Sequence, residues 1–470
     1  MSLNHTPPTP SAEPAPLPGP DWVRDAIFYQ IFPERFDNAD PSTDPPGVEP
    51  WGAPPTRDNF FGGDLPGITR RLPHLQKLGV NAIYLTPIFA AATNHRYDAV
   101  DYNRIDPILG GDAAFETFLG SAHAADIRVV LDAVFNHCGD QHPYFRDVVA
   151  RGEDSPYVNW FSVAGFPVQS HPEPNYLTCS GCHYLPKLNV QNPEVRDYLF
   201  NATSKWMSTG IDGWRLDVPF MLDNPAFWEQ FRAVVKGYDP DLYIVAEVWE
   251  KATDWTNGST SDAAMNYRLR DAILSFVSEW RGGGDIFAAE LAAIDAEIPA
   301  AAKGLMMNLL GSHDTERVLT HCGGDVEAAK LAFALMFTAE GAPMVYYGDE
   351  VGMTGFNDPD CRACMDWDQT TWNMDMMSWI ATLAALRTNN IALRRGTEAT
   401  IQASESTIVR SRTHPDQQIL VLANRGSAPA TISVDGFTSR TGTELITGQP
   451  VACSGIVVPP RGVRLVSLGS

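Results

Sequence analysis

The stretch Gly213-Trp214-Arg215-Leu216-Asp217 is a short apolar run that ends in a carboxylate, with an arginine two residues before it. Residues two apart on a β-strand point the same way, so Arg215 and Asp217 share a face and the cation is expected to hold the acid ionised. That marks Asp217 as a candidate nucleophile. The same design, an acid or histidine closing an apolar strand, recurs further along and before it. Asp132 and His137 stand in Leu131-Asp132-Ala133-Val134-Phe135-Asn136-His137, Glu247 in Ile244-Val245-Ala246-Glu247-Val248-Trp249, and His313-Asp314 after Met306-Met307-Asn308-Leu309-Leu310. One such cluster is an ordinary ion pair. All of them in one chain fit a barrel of parallel strands, which gathers its active site from several strand ends at one rim.

From Ala26 onward, short apolar strands alternate with amphipathic helices, the pattern of an α/β fold and here of a (β/α)8 TIM barrel. Strands are predicted near residues 26–31, 80–85, 127–132, 211–217, 242–247, 263–267, 305–310 and 342–347. Helices are expected between them, for example over 68–78, 113–125, 194–208, 225–236 and 326–339. The barrel is thereby assigned to 22–137 and 193–388. Residues 138–192, after the third strand, form a loop-rich insertion in which no helix is predicted, and so long a loop in a compact domain is usually functional. Over 389–470 the texture changes to short β-branched runs such as Ile419-Leu420-Val421-Leu422 and Val463-Arg464-Leu465-Val466, read as a C-terminal antiparallel β-sandwich. Residues 1–21, rich in Pro, Ala, Ser and Thr, read as a disordered tail that lacks the basic start and apolar middle of a signal peptide.

The clusters at the strand ends resemble the signature blocks of the alpha-amylase superfamily of retaining glycosidases, glycoside hydrolase family 13. Asp132 to His137 is similar to the first block, Gly213 to Asp217 to the second, Glu247 to the third and His313-Asp314 to the fourth. Gly79-Val80-Asn81-Ala82-Ile83-Tyr84-Leu85-Thr86-Pro87 and Leu185-Pro186-Lys187-Leu188-Asn189 extend the similarity. Tyr29-Gln30-Ile31-Phe32-Pro33-Glu34-Arg35-Phe36 and Asp358-Pro359-Asp360-Cys361-Arg362 resemble the cyclomaltodextrinase, neopullulanase and maltogenic amylase group in particular. The resemblance implies a lid module at 138–192 and cleavage of α-1,4 glucosidic bonds in maltooligosaccharides, cyclodextrins, starch or pullulan. Val218, directly after the candidate nucleophile, accompanies tolerance of α-1,6 bonds in related groups. The chain departs from the group at Pro219-Phe220, where Ala-Asn is usual, and at Glu250, where a histidine is usual, so the leaving-group side stays open. With only residues 1–21 ahead of the barrel, the extra β-sandwich usual in that group has no counterpart, and a monomer or weak homo-oligomer is expected.

Cleavage with retention needs two carboxyl groups about 5 Å apart, one as nucleophile and one as acid then base. Glu247, flanked by apolar Val245, Val248 and Trp249, is expected to have a raised pKa and to serve as acid/base opposite an ionised Asp217. By resemblance Asp314 is the transition-state stabiliser, since a fixed carboxylate favours an oxocarbenium-like state more than the ground state. The resemblance also assigns Arg215, His137 and His313 to hydroxyls of the same ring, Tyr97 to stacking, His95 beside it to a hydroxyl, and Asp98 to the same group. Asp358 and Arg362 are implied for the next sugar on the nonreducing side, Trp249 for the leaving-group side, and Asp132 as a support from behind.

The loop Asn38-Ala39-Asp40-Pro41-Ser42-Thr43-Asp44 and Gly62-Gly63-Asp64 offer hard oxygens from Asn38, Asp40, Asp44, Gly62 and Asp64, which suit a structural calcium ion. They resemble a calcium site of the neopullulanase group, with Thr43 where asparagine is expected, although the same residue types also build plain turns. No organic cofactor is implied.

With 34 basic against 57 acidic residues, the net charge of −23 argues against a phosphate backbone or an anionic membrane as partner. A neutral α-glucan is compatible. No apolar stretch reaches the roughly 18 residues of a membrane span. Seven cysteines, an odd count, point to a reducing cytoplasm, and the Cys179/Cys182 and Cys361/Cys364 pairs, although spaced like zinc ligands, read as packing. Two rival enzymes remain. One is a glucanotransferase or maltose-remodelling enzyme on the same scaffold, and the other is a metal-dependent barrel hydrolase using Asp132, His137 and His313, disfavoured by the absence of His-x-His on the first strand. A non-catalytic relative would lack one of the three acids, and all three are present.

Overall fold

The computed structural model describes residues 19–222, 224–278 and 282–469. Eight parallel strands form the centre: β1 (Phe28–Ile31), β2 (Ala82–Leu85), β3 (Arg128–Ala133), β4 (Gly213–Leu216), β5 (Tyr243–Ala246), β6 (Ala263–Ala264), β7 (Met307–Leu309) and β8 (Ala342–Tyr346). They are hydrogen-bonded in the order β6-β5-β4-β3-β2-β1-β8-β7, and a parallel bridge between Met265 and Met307 closes the ring. Seven of the eight lie wholly in the interior, and only Arg128 at the foot of β3 reaches solvent. This is why they read as continuous apolar runs: parallel strands under a coat of helices are buried on both faces. Gly213 opens β4 because a Cβ there would meet the Tyr243 carbonyl oxygen at 2.4 Å.

Register carries the strand ends to one rim. Asp132 pairs with Arg215 and Leu216 with Ala246, so Asp217 and Glu247 each lie one residue past a paired position. Helices α1 (Leu65–Lys77), α2 (Gly111–Ala124), α4 (Pro193–Met207) and α5 (Pro225–Tyr238) cover the outside. Their buried rings, Phe115, Trp206, Trp228 and Phe231 among them, pack on the strands. Truncating one such ring to alanine costs about 3–5 kcal/mol.

Two readings of the sequence are corrected. The insertion after β3 does contain a helix, α3 (Pro143–Arg151), capped by the His142 ring, whose Nδ1 accepts from Tyr144 N at 3.3 Å. Its inward face is only Phe145 and Val148, too short a stripe to reveal itself by period. The insertion is anchored to the rim by bridges His137 to Lys187 and Phe161 to Leu188. At the N-terminus, the tail read over 1–21 lies outside the described residues as far as residue 18. Asp21–Asp25 forms a 3-10 helix, with Asp21 and Asp25 both paired to Arg395, so the tail stops short of Asp21.

The C-terminal strands are β9 (Thr397–Ala403), β10 (Thr407–His414), β11 (Gln417–Asn424), β12 (Ala430–Ile432), β13 (Thr441–Glu444), β14 (Pro450–Ala452), β15 (Ile456–Val458) and β16 (Gly462–Leu468). They form a six-stranded antiparallel sheet, β9-β10-β11-β16-β13-β14, faced by the pair β12-β15. Strand alternation serves two cores at once: Ile419, Val421 and Ala423 pack on the barrel, while Leu420 and Leu422 face β12 and β15. Among the described residues no helix is long and apolar enough to cross a membrane.

Candidate active site

A cavity of about 830 Å³ opens at the rim where β4, β5 and β7 end, and Asp217, Glu247 and Asp314 all line it. His95, Tyr97, His137, Trp249, His313, Asp358 and Arg362 line the same space. Beneath it lies Arg215, fully buried. Its Nη1 donates to Asp217 Oδ1 at 2.8 Å and to Asp132 Oδ1 at 2.9 Å. Its Nη2 meets Glu247 Oε1 at 2.9 Å as an ion pair without an aligned hydrogen bond. One guanidinium thus ties Asp217 and Glu247 close together.

That arrangement corrects an expectation. Arg215 was to hold Asp217 ionised while Glu247 alone was raised, but three buried carboxyls share one cation. Burial pushes Asp217 well above the usual carboxylate range, with Arg215 opposing it and Glu247 and Asp132 adding to the rise. Burial likewise raises Glu247, again against Arg215, and lifts Asp132 to about 6. Burial of three carboxyls around one cation therefore opposes their ionisation more than it would for a single acid beside an arginine. Arg215, expected on a ring hydroxyl, lies fully buried beneath the cavity and touches it through the acids it spans.

Backbone geometry shapes the other side of Glu247. Val218 sits at φ 32°, ψ 50°, a left-handed conformation that costs a β-branched residue energy. The strained turn aims Val218 N–H at Glu247 Oε2, 2.8 Å away. Trp249 donates its indole N–H to Glu247 Oε1 at 3.3 Å and stacks on Tyr267 at 3.9 Å. Burial drives the Tyr267 hydroxyl far up, so it stays neutral.

A relay of neutral groups crosses the floor. Gln30 Nε2 lies 2.8 Å from His313 Nδ1, and because an amide nitrogen only donates, this bond assigns the proton of His313 to Nε2. Nε2–H then reaches Tyr97 Oη at 2.6 Å, and Tyr97 donates to Asp132 Oδ2 at 3.1 Å, with Tyr84 donating to the same oxygen at 2.7 Å. The Tyr97 and His313 rings are nearly parallel, 7° apart. Burial holds His313 well below its ordinary range, His95 down to about 3 and His137 at about 4, so these rings are neutral at neutral pH. Gln30 and Tyr84 were not foreseen as site residues. The one signal for Gln30 was a polar side chain inside an otherwise apolar strand.

Asp314 is held by Arg362, Nη2 to Oδ1 at 3.0 Å, and Arg362 Nε donates to the His313 carbonyl at 2.8 Å. Asp358 meets Arg362 at 3.4 Å and Arg57 at 3.1 Å. Asp98 is the misplaced member of the expected set. Its carboxylate accepts from Ala92 N and Thr93 N, both at 3.1 Å, and so fastens the loop that carries His95 and Tyr97 without lining the cavity.

The metal-hydrolase alternative finds no support in the side chains: Asp132 is occupied by Arg215, Tyr84 and Tyr97, and among the described residues no three His, Cys, Asp or Glu side chains gather to hold a metal. All seven cysteines are free, and Cys179 with Cys182 lines the cavity. Of the proposed calcium ligands, Asp64 accepts from Asp40 N at 2.7 Å and Gly67 N at 2.5 Å as the cap of α1, and Asp40 accepts from Ser42 N at 3.1 Å. Asn38 donates to Asp44 Oδ1 at 2.8 Å and leaves its own Oδ1 buried without a partner. Gly62 packs so tightly here that a Cβ would lie 2.1 Å from Asp44 Oδ1. Turned over, the Asn38 amide would aim an oxygen at Asp44 beside Gly62, the start of a hard-oxygen cage.

The histidines give a pH dependence. His142, buried in the insertion, is held down to about 4, below the ordinary value of about 6.5. Between these values the unfolded chain binds a proton that the folded chain refuses, so this contribution to stability is present above pH 6.5 and is lost as pH falls toward 4. The raised carboxyls act in the opposite sense and are common to any variant at position 142. His142→Asn, which keeps a capping oxygen, is therefore expected to lose less stability than the parent between pH 7.5 and 5, by up to about 1.4 kcal/mol per pH unit. Denaturant midpoints at the two pH values check this, and equal slopes would refute it.

A closed eight-stranded barrel with a triad of acids in one rim cavity defines a class, the retaining glycosidases built on a TIM barrel. The alpha amylase catalytic domain matches residues 30–418, and the chain belongs to the alpha-amylase family. A cyclomaltodextrinase of Geobacillus thermopakistaniensis is 43% identical over 96% of this chain and 78% of its own length. Neopullulanase 2 of Thermoactinomyces vulgaris is 43% identical over 92% of this chain and 75% of its own. Among solved structures, the cyclic alpha-maltosyl-(1→6)-maltose hydrolase of Arthrobacter globiformis superposes with a TM-score of 0.91 at 51% identity, covering 96% of this chain and all of that one.

Proposed function

We propose that this glycosidase hydrolyses α-1,4 and also α-1,6 glucosidic bonds of short linear or cyclic maltooligosaccharides, with cyclodextrins, pullulan and starch as the wider substrate class. The observation that carries this is the meeting of Asp217, Glu247 and Asp314 in one cavity over a shared Arg215. The relatives support the substrate class, since their names cover cyclomaltodextrin, pullulan and a maltosyl-(1→6)-maltose ring.

In this reading Asp217 attacks the anomeric carbon while the bond to the leaving oxygen breaks and Glu247 gives that oxygen its proton. In this reading Asp217, which takes the aligned bond from Arg215, is the ionised partner and Glu247 the protonated one. In the second half Glu247 takes a proton from water, the water oxygen bonds to the anomeric carbon, and Asp217 is released. Asp314, fixed by Arg362, meets the positive charge that develops between these steps. His137 and His313, both neutral, present hydrogen-bonding nitrogens to the ring hydroxyls, His95 and Tyr97 complete that wall, and Trp249 receives the leaving group. Incubation with maltotriose, a cyclodextrin, pullulan and panose tests the assignment by its products. Glucose and maltose from all four support it. Products longer than the substrate from maltotriose as the main outcome would favour a glucanotransferase instead.

Asn38, Asp44 and Gly62, with Asp40 and Asp64 behind them, are our candidate ligands for one structural calcium ion. An ion that binds only the folded chain at a hundred times its Kd adds about 2.7 kcal/mol. Chelator is accordingly expected to lower the melting temperature of the parent but not of Asp44→Ala, and equal melting curves for the parent with and without chelator would remove the ion. We place the enzyme in the cytoplasm as a monomer or weak homo-oligomer, on the support of seven free cysteines and of an intracellular maltogenic amylase of Bacillus subtilis at 42% identity.

A further inference from the structure

Phe356 is 66% exposed, more than any other large apolar side chain among the described residues. A scattered surface ring needs no explanation, but one set beside a concave surface next to a binding cavity does. The loop that carries it separates two spaces. Asp358 and Arg362 face the catalytic cavity, whereas Phe356 and Asp360 face a second hollow of about 540 Å³, with Thr320 and Thr354 on its wall. That volume lies within the range of small-ligand sites.

The partition is one chain segment thick and is firmly held. Gly355 N donates to Thr320 Oγ1 at 2.8 Å, Arg317 N donates to the Gly355 carbonyl at 3.0 Å, and Arg362 is fixed on His313 as described. The opposite border is continuous as well: Pro55 lines the hollow, and Arg57 and Asp58 line the cavity. Between them the Arg57 to Asp358 pair forms a polar, solvent-facing ridge. Asp358 on the cavity side and Phe356 on the hollow side thus stand two residues apart along the partition. The chemistry there suits a neutral sugar: an open aromatic face for the apolar C–H side of a pyranose, and a carboxylate with threonine hydroxyls for its polar edge. An anionic ligand would meet Asp360.

We propose that this hollow binds a further glucosyl unit of a linear α-glucan, beyond the unit next to Asp358 and Arg362 on the nonreducing side. The proposal rests on the reading that those two residues hold the nonreducing side of the substrate.

The experiment compares maltotriose with maltoheptaose for the parent, Phe356→Ala, Phe356→Trp and Asp358→Asn. A solvent-exposed ring can be truncated with little effect on folding. Phe356→Ala is expected to lower kcat/KM for maltoheptaose roughly three- to tenfold, through KM, with maltotriose nearly unchanged. Phe356→Trp should keep the long-chain preference, and Asp358→Asn should weaken both substrates. An equal effect of Phe356→Ala on both lengths, or none on either, overturns the hollow as a glucan site. If Phe356→Ala discriminates by length and Asp358→Asn changes neither substrate, the hollow binds glucan but its placement beyond Asp358 and Arg362, and with it the reading of Asp358, is overturned.

Discussion

Asp217→Asn is expected to lower kcat on maltotriose by on the order of 10⁴-fold or more, because an amide cannot form the ester through which the reaction passes. The same change is expected to leave the melting temperature equal or higher. Asp217 is one of three buried carboxyls on a single guanidinium, and burial already pushes it far up. A neutral amide of the same shape relieves that crowding while Arg215 keeps Asp132 and Glu247. Activity and stability should therefore move apart, as they do where a site is arranged for chemistry at the expense of stability. Steady-state kinetics and a melting curve on one preparation decide it: a variant that keeps normal turnover, or one that is inactive only because it has unfolded, would contradict this role.

Arg215→Met should have the opposite signature, loss of both activity and stability. Removing one partner from a buried ionic cluster costs about 3–5 kcal/mol, since the charges left behind have no compensation. Here three acids lose their only shared cation. With nothing to oppose burial, their folded-state pKa values rise further above the unfolded ones. For an acid shifted that way, stability is retained below the unfolded value near 4 and is lost as pH rises through the folded value. The variant should accordingly be closest to the parent near pH 5 and fall progressively behind it toward pH 8. Denaturant midpoints at both ends of that range check the sign, and a deficit independent of pH would mean that the arginine serves packing alone.

The barrel was legible because its strands are buried on both faces. Phe28–Ile31, Ala82–Leu85 and Tyr243–Ala246 are short runs bounded by turn residues, and each was anticipated within two residues at either end. The acids were legible because a carboxylate that ends such a run has few places to be other than the rim. Interactions between distant segments were not legible. Gln30 meets His313 across 283 positions, and only the strand order, with β8 between β1 and β7, brings the two side chains together. Asp98 lies in the same short run as His95 and Tyr97, but the path of the backbone turns it toward Ala92 and Thr93. The upward pressure on the Asp217 pKa escaped for a related reason: its local partner Arg215 was visible, whereas Asp132 and Glu247 on the same guanidinium are neighbours through the sheet. Strands β13 to β15 were missed because each is only three or four residues long, too short for an alternating pattern to show.

The most direct measurement is to trap the intermediate. A fluorinated α-glucosyl fluoride that forms the glycosyl-enzyme quickly and releases it slowly should add one sugar mass to the protein, and digestion should place that mass on the peptide containing Asp217, with no label in Asp217→Asn. A label on Glu247 or Asp314, or turnover of the reagent with no covalent adduct at any time, would contradict double displacement through Asp217.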